Sequence, residues 1–177
     1  MDRRHLLAGL VVMAASPAFA QQSTGVGASD EQMGQAEQRH AAETLAAGAV
    51  ALEMSRIAME KAQDEWVKKF AQYEVAEQDT MAEVLTSLGA QPAKMTDQQN
   101  RMMQGMIKRL KGAQAGPRFD REYIEAQIEG HQELLKIQEN YLASGKVRSH
   151  VNVTKLARGQ IKEHLDMVQT IRNGLKS

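Results

Sequence analysis

Four long stretches of this chain repeat their apolar residues at helical spacing, and each carries a charged or imidazole side chain on that stripe. The first has Leu45, Ala49, Leu52 and Met59, with Val50, Glu53 and Ile57 beside them. The second has Phe70, Glu74, Glu77, Met81, Val84 and Leu88, a heptad-like seam with two glutamates at apolar positions. The third has Ile124, Ile128, His131, Leu135, Gln138 and Leu142, and the fourth has Val153, Ala157, Ile161, His164, Val168, Ile171 and Leu175. No β-alternation of useful length interrupts them. Such a chain must fold as packed helices, and it must find partners for the carboxylates and imidazoles it buries.

The boundaries of these stretches set the order in which the helices connect. Ser29-Asp30-Glu31-Gln32 reads as a capping box, which starts the first helix there and runs it to Ala62, with Gly34 as a candidate break. Asp64 reads as the N-cap of the second helix, which reaches Leu88 and stops at Gly89. The segment from Gly89 to Pro117 holds Pro92, Pro117 and several glycines, and the box Thr96-Asp97-Gln98-Gln99 predicts a short helix over 97–111. The third long helix is expected from Phe119 to Ser144, before Gly145, and the fourth from Val147–Ser149 to Leu175. A short loop, a long crossover and a short loop predict an all-α, ferritin-like four-helix bundle, with a long B–C crossover containing a short extra helix. Counting from the turns places Glu53, Glu74, Glu77, His131 and His164 near mid-bundle, on helices roughly 37 Å long.

Residues 1–20 read as a cleaved signal peptide. Arg3 and Arg4 precede an apolar run, Leu6 to Ala15, too short to span a bilayer, and Ala18-Phe19-Ala20 is a small-x-small cleavage site. The expectation is a periplasmic protein with a Gly/Ser/Thr-rich leader at 21–28 and one bundle domain at 29–177. Arg3-Arg4-His5-Leu6-Leu7 also resembles a twin-arginine signal, and the export route stays open between that and the ordinary one.

Composition excludes several function classes. With no cysteine there is no thiolate chemistry, iron–sulfur cluster or disulfide frame. Lys+Arg and Asp+Glu balance at 22 each, so no net field favours nucleic acid, and three Phe, three Tyr and one Trp make no stacking platform. Past the signal segment no run is long enough for a transmembrane helix. No glycine-rich phosphate loop, nucleophile elbow or nucleophile–base–acid arrangement stands out.

Several motifs together resemble a known family. They are Phe70-Ala71-Gln72-Tyr73-Glu74-Val75-Ala76-Glu77-Gln78, then Phe119-Asp120-Arg121-Glu122-Tyr123, then Gln127 to His131, then His164-Leu165. This set is similar to an exported bacterial ferritin-like domain of unknown function, a family sometimes labelled "predicted outer membrane protein", over about residues 37 to 174. The resemblance implies the fold and export, and no activity. That family commonly has a histidine near the position of Gln78, where this chain has glutamine. Di-iron ferritin-like enzymes place Glu-x-x-His on two helices. Here the corresponding segments read Glu74-x-x-Glu77 and Ile161-x-x-His164, so that centre is not encoded as written.

Glu53, Glu74, Glu77, His131 and His164 are the candidate metal ligands, a mixed nitrogen and oxygen set suited to iron, zinc, manganese or copper. Glu74 and Glu77 repel unless a cation or proton lies between them. One reading is a protein that binds metal for storage, scavenging or stress protection. Another is a metal-free structural network inside a non-enzymatic envelope interaction module, with a protein partner or homo-oligomer left open. A third is a metal-dependent oxidoreductase. Met95, Met102, Met103 and Met106 read as packing of the crossover helix rather than a copper(I) site. Glu125, Glu129 and Glu133 read as a solvated face, with Glu129 as reserve ligand.

Overall fold

The computed structural model describes residues 32–91 and 97–175, apart from the side chains of Gln98, Gln99 and Met102. The expected signal peptide, the leader, the cap at Ser29, the cap at Thr96 and Met95 lie outside the described residues. Those residues form five helices and no strand: α1 (Gln35–Lys61), α2 (Glu65–Ser87), α3 (Asp97–Gly112), α4 (Pro117–Leu142) and α5 (Arg148–Gly174). No described helix is long and apolar enough to cross a membrane.

Two ends differ from the sequence expectation. The first helix begins only after Gly34, which is its N-cap, and Glu37 accepts the Gly34 N–H at 3.1 Å as the N3 half of a capping box, five residues further on than expected. α4 starts at Pro117, whose missing N–H is no loss in a first helical turn. Other boundaries agree. Asp64 caps α2 by accepting the N–H groups of Trp66 at 2.8 Å and Val67 at 3.2 Å. Gly89, with φ of 94°, supplies the left-handed residue that ends α2.

Side-chain pairings fix how the helices run. Gln38 near the start of α1 donates to the Gly89 carbonyl beyond the end of α2 at 2.8 Å, so α1 and α2 are antiparallel. On α4, Tyr123 meets Ser55 and Tyr141 meets Glu37, so α4 is antiparallel to α1. His131 meets His164 and Tyr141 packs on His150, so α5 is antiparallel to α4. The connection holding α3 therefore leads from one end of the long helices to the other. There Lys61 donates to the carbonyls of Leu110, Lys111 and Ala113.

The main apolar core lies at the end where α1 finishes and α4 begins. It contains Met54, Ala58, Val67, Phe70, Phe119, Tyr123, Ile124 and Val168, closed by Ile107 and Leu110 of α3. Met103 and Met106 pack against it, as expected for gap-filling methionines. A smaller cluster of Ala41, Leu85 and Ala90 marks the other end, with Met81 and Val153 beside it. Between the two lies a buried polar middle.

α1 presents a different face from the one its leucines suggested. Ala41, Thr44, Gly48, Ala51, Met54, Ser55 and Ala58 are buried, whereas Ala49 and Met59 are exposed. Small residues let the neighbouring helices approach closely. At Gly48 an added Cβ would collide with Gln78 Oε1 of α2.

The Phe119-Asp120-x-x-Tyr123 motif acts structurally at this end. The buried Asp120 carboxylate accepts the backbone N–H groups of Gln63 at 3.1 Å and Asp64 at 2.8 Å, so the first turn of α4 seals the α1–α2 turn. Tyr123 is likewise buried, with its hydroxyl 2.8 Å from Ser55 Oγ. Replacing Asp120 by alanine orphans two partly buried N–H groups. We expect urea denaturation to show a loss of about 2–3 kcal/mol, more than the roughly 1 kcal/mol expected of Asp64→Ala at a half-buried cap.

Candidate metal centre

Glu74 comes from the middle of α2, His131 from α4 and His164 from α5. Glu74 Oε2, His131 Nε2 and His164 Nδ1 form a nearly equilateral triangle, with edges of 3.0 Å from His164 to Glu74, 3.1 Å between the histidines and 3.3 Å from His131 to Glu74. All three residues are buried. Phe70 packs one turn before Glu74, its ring 5.2 Å from His164 and 5.9 Å from His131.

The outer atoms of the three residues are held as well. His131 Nδ1 lies 2.8 Å from the Gln127 carbonyl, which can only accept, so that nitrogen carries hydrogen and Nε2 presents a lone pair to the triangle when the ring is neutral. His164 Nε2 lies 2.7 Å from Glu77 Oε2, which likewise places a hydrogen there and turns Nδ1 inward. Gln78 donates to Glu74 Oε1 at 2.9 Å, leaving Oε2 for the histidines. Three donor atoms thus converge, oriented by a backbone carbonyl, a carboxylate and an amide, the kind of outer partners that orient metal ligands.

Three lone pairs cannot face one another at this range without a cation or a proton among them. Without metal the positive charge is a proton on His164. Burial opposes it, but the bonds to Glu74 and Glu77 outweigh burial and raise the ring to about 9. Burial by itself would raise Glu74. The hydrogen bonding and positive charge of the adjacent histidine pair overcome this and hold the carboxyl down near 2.

The sequence-derived candidates divide accordingly. Glu74, His131 and His164 meet in one cluster, their ligand atoms within 4.8 Å of one another. Glu77 touches this cluster through His164. Glu53 is not part of it. Because α1 is rotated from the expected phase, Glu53 lies on the flank and pairs with Lys111 of α3 at 2.7 Å. Glu125, Glu129 and Glu133 are exposed, so the reserve ligand is not used. Sequence reasoning noted Gln78 only as a departure from the family and passed over Gly48, both of which position Glu74. It also passed over Glu37, His40, Tyr141 and His150, which form a second buried polar cluster. The signal available for that second cluster was the four-residue rhythm His40, Thr44, Gly48 along α1.

One wall of the site faces a groove. α2 and α5 approach each other sparsely, and Tyr73, Met81, Val84, Val153 and Leu156 line a cleft of about 660 Å³ whose wall includes Glu77 and His164. Exchange with solvent can therefore take place past Glu77, while Glu74 and His131 stay enclosed.

Gly48→Ala tests the positioning of Glu74. The new methyl displaces the flexible end of Gln78, which must shift and release Glu74 Oε1. We expect the fold to persist, with a stability loss of about 1 kcal/mol from one broken hydrogen bond, measurable by thermal denaturation. A second expectation concerns pH. His164 is raised in the folded state, so its contribution is fully present below 6.5 and is lost as pH rises through about 9. Glu74 is lowered, so its contribution is present above 4.5 and is lost as pH falls toward 2. Melting temperatures of metal-free protein should decline between pH 7 and 9, and His164→Gln should flatten that limb.

No curated protein matches the chain. Its architecture is similar to the crystal structure of a DUF305 fragment from Deinococcus radiodurans, with a TM-score of 0.69 and 16% identity over 80% of this chain and 98% of that one. That likeness concerns the fold alone. A domain family matches residues 22–171, most of the sequence, and the chain belongs to it: the Domain of unknown function (DUF4142) family.

Proposed function

We propose that this is an exported, ferritin-like protein that binds one divalent first-row transition metal ion through Glu74, His131 and His164, for storage, scavenging or stress protection. The ferritin-like reading is supported by the antiparallel pairs α1–α2 and α4–α5, joined by a connection that leads from one end of the long helices to the other. Export rests on the Arg3-Arg4, Leu6–Ala15 and Ala18-Phe19-Ala20 signals.

The observation that carries the metal reading is the triangle. Ligands about 2.1 Å from one ion lie about 3.0 Å apart at right angles and about 3.4 Å apart in a tetrahedron. The edges of 3.0, 3.1 and 3.3 Å fall within that range before any ion is bound. Two imidazoles and a carboxylate suit iron(II), zinc, manganese or copper(II), and three protein ligands leave coordination positions open. Glu74 would neutralise one charge of the ion, and Glu77 would hold the His164 tautomer that binds it. A bound ion would supply Lewis-acid or redox capacity.

A metal-free network is the second reading, and the satisfied His164 imidazolium favours it. In that case the cluster fixes helix register inside an interaction module. Elemental analysis of chelator-free periplasmic protein, beside a His131→Ala/His164→Ala variant, separates the two. We expect one ion per chain in the wild type and none in the variant. Affinity should rise about tenfold per pH unit up to about 9, because the ion must displace the His164 proton. Absence of metal from both proteins, with no uptake on titration with zinc or iron(II), would leave the network reading.

A further inference from the structure

The second polar cluster lies toward the other end of the helical body, two turns beyond the triangle along α4. His40 Nδ1 of α1 lies 2.9 Å from His150 Nε2 of α5, and His40 Nε2 lies 2.9 Å from Gln138 Oε1 of α4. Gln138 turns its amide hydrogens to Thr44 Oγ1 at 3.0 Å, which leaves its oxygen to accept from His40. Tyr141 donates to Glu37 at 2.8 Å and packs against both imidazole rings. All six side chains are buried.

Proton counting shows what this arrangement tolerates. His40 Nε2–H donates to Gln138, so His40 Nδ1 is a lone pair, and it accepts from His150 Nε2–H. His150 Nδ1 is then the one ring nitrogen left to take a proton, and it is buried with no hydrogen-bond partner. A proton added there makes a buried imidazolium whose N–H points at no acceptor, a costly state. Moving the proton to His40 does not help, because His150 must then carry its hydrogen on the same orphaned nitrogen.

We propose that the His40–His150 pair is an acid-sensitive latch, which fastens the first turns of α1 and α5 to the C-terminal half of α4 and releases them on acidification. The titratable groups facing the rings are Glu37 from α1 and Tyr141 from α4, while Leu85 of α2 packs in the apolar cluster with Ala41 of α1. Burial, reinforced by the neighbouring His150, pushes His40 down to about 4, and burial also lowers His150. A depressed histidine costs stability as pH falls from 6.5 toward its folded value. Between 6.5 and 4.5 His164 keeps its proton and Glu74 stays ionised, so neither of these two groups contributes to the pH dependence there.

Amide hydrogen exchange on the full chain tests this. Protection factors at residues 37–44 and 150–154 should fall by up to about tenfold per pH unit between 6.5 and 4.5, with amides around Phe70, Tyr123 and Val168 unchanged. His150→Gln puts a non-titrating N–H near the position of Nε2 and should remove that loss. Equal protection at both pH values, a loss spread over all helices, or the same step in His150→Gln would overturn the latch. Side-chain ¹⁵N shifts of the wild type give a reading independent of the variant. Both rings should stay neutral well below the ordinary histidine value, and ordinary titration near 6.5 with packing unchanged would overturn the proposal.

Discussion

Glu74 is a carboxylate with no exposed surface, and the middle of the structure is arranged around the need to satisfy it. An ionised carboxylate out of water is tolerated only with full hydrogen bonding and a compensating positive charge. Gln78 takes one oxygen, and His131 and His164 converge on the other. That requirement brings α2, α4 and α5 to one point, and it reaches α1 through Gly48, whose missing side chain makes room for Gln78. Where α2 and α5 otherwise leave a groove, the bonds of Glu74 and Glu77 to His164 join them.

A proton and a metal ion are alternative answers to the same electrostatic problem. Both place positive charge where three lone pairs meet, and both use the tautomers set by Gln127 and Glu77. Were an ion to bind as proposed, the geometry would need little rearrangement to exchange one for the other, and the outer partners would stay in place. The His40–His150 pair solves the opposite problem. Its rings are satisfied only when neutral, and the nearest carboxylate, Glu37, is occupied by Gly34 and Tyr141. Two buried histidine pairs in one helical body thus have opposite charge preferences, set by what lies at their second nitrogens.

The motifs that suggested a family have mixed roles once placed. Glu74, His131 and His164 form the polar centre, whereas Asp120 and Tyr123 fasten the end of the helical body. Asp120 seals the α1–α2 turn, and the Tyr123 hydroxyl bonds Ser55, to which Gln127 also donates at 3.0 Å. The same Gln127 offers its backbone carbonyl to His131, so the fastening and the centre share a residue.

By itself the sequence determined the helical class, the Asp64 and Gly89 ends, the helix in the crossover and the burial of Glu74, His131 and His164. These follow from local rules: apolar periodicity, capping chemistry and the conspicuousness of a polar residue in a strong apolar seam. The phase of α1 was decided only by tertiary structure. Apart from Met54 and Ile57 near its end, its buried face consists of small or polar residues, with too little hydrophobic contrast to outweigh its half-buried leucines. Glu53 therefore faced the core on paper and pairs with Lys111 in the fold, while His40 went unnoticed. The His40–His150 pair joins residues 110 positions apart, and the tautomers at both clusters depend on which carbonyl, amide or carboxylate lies at the second nitrogen. Those are facts of packing between helices, and no periodicity within one helix carries them.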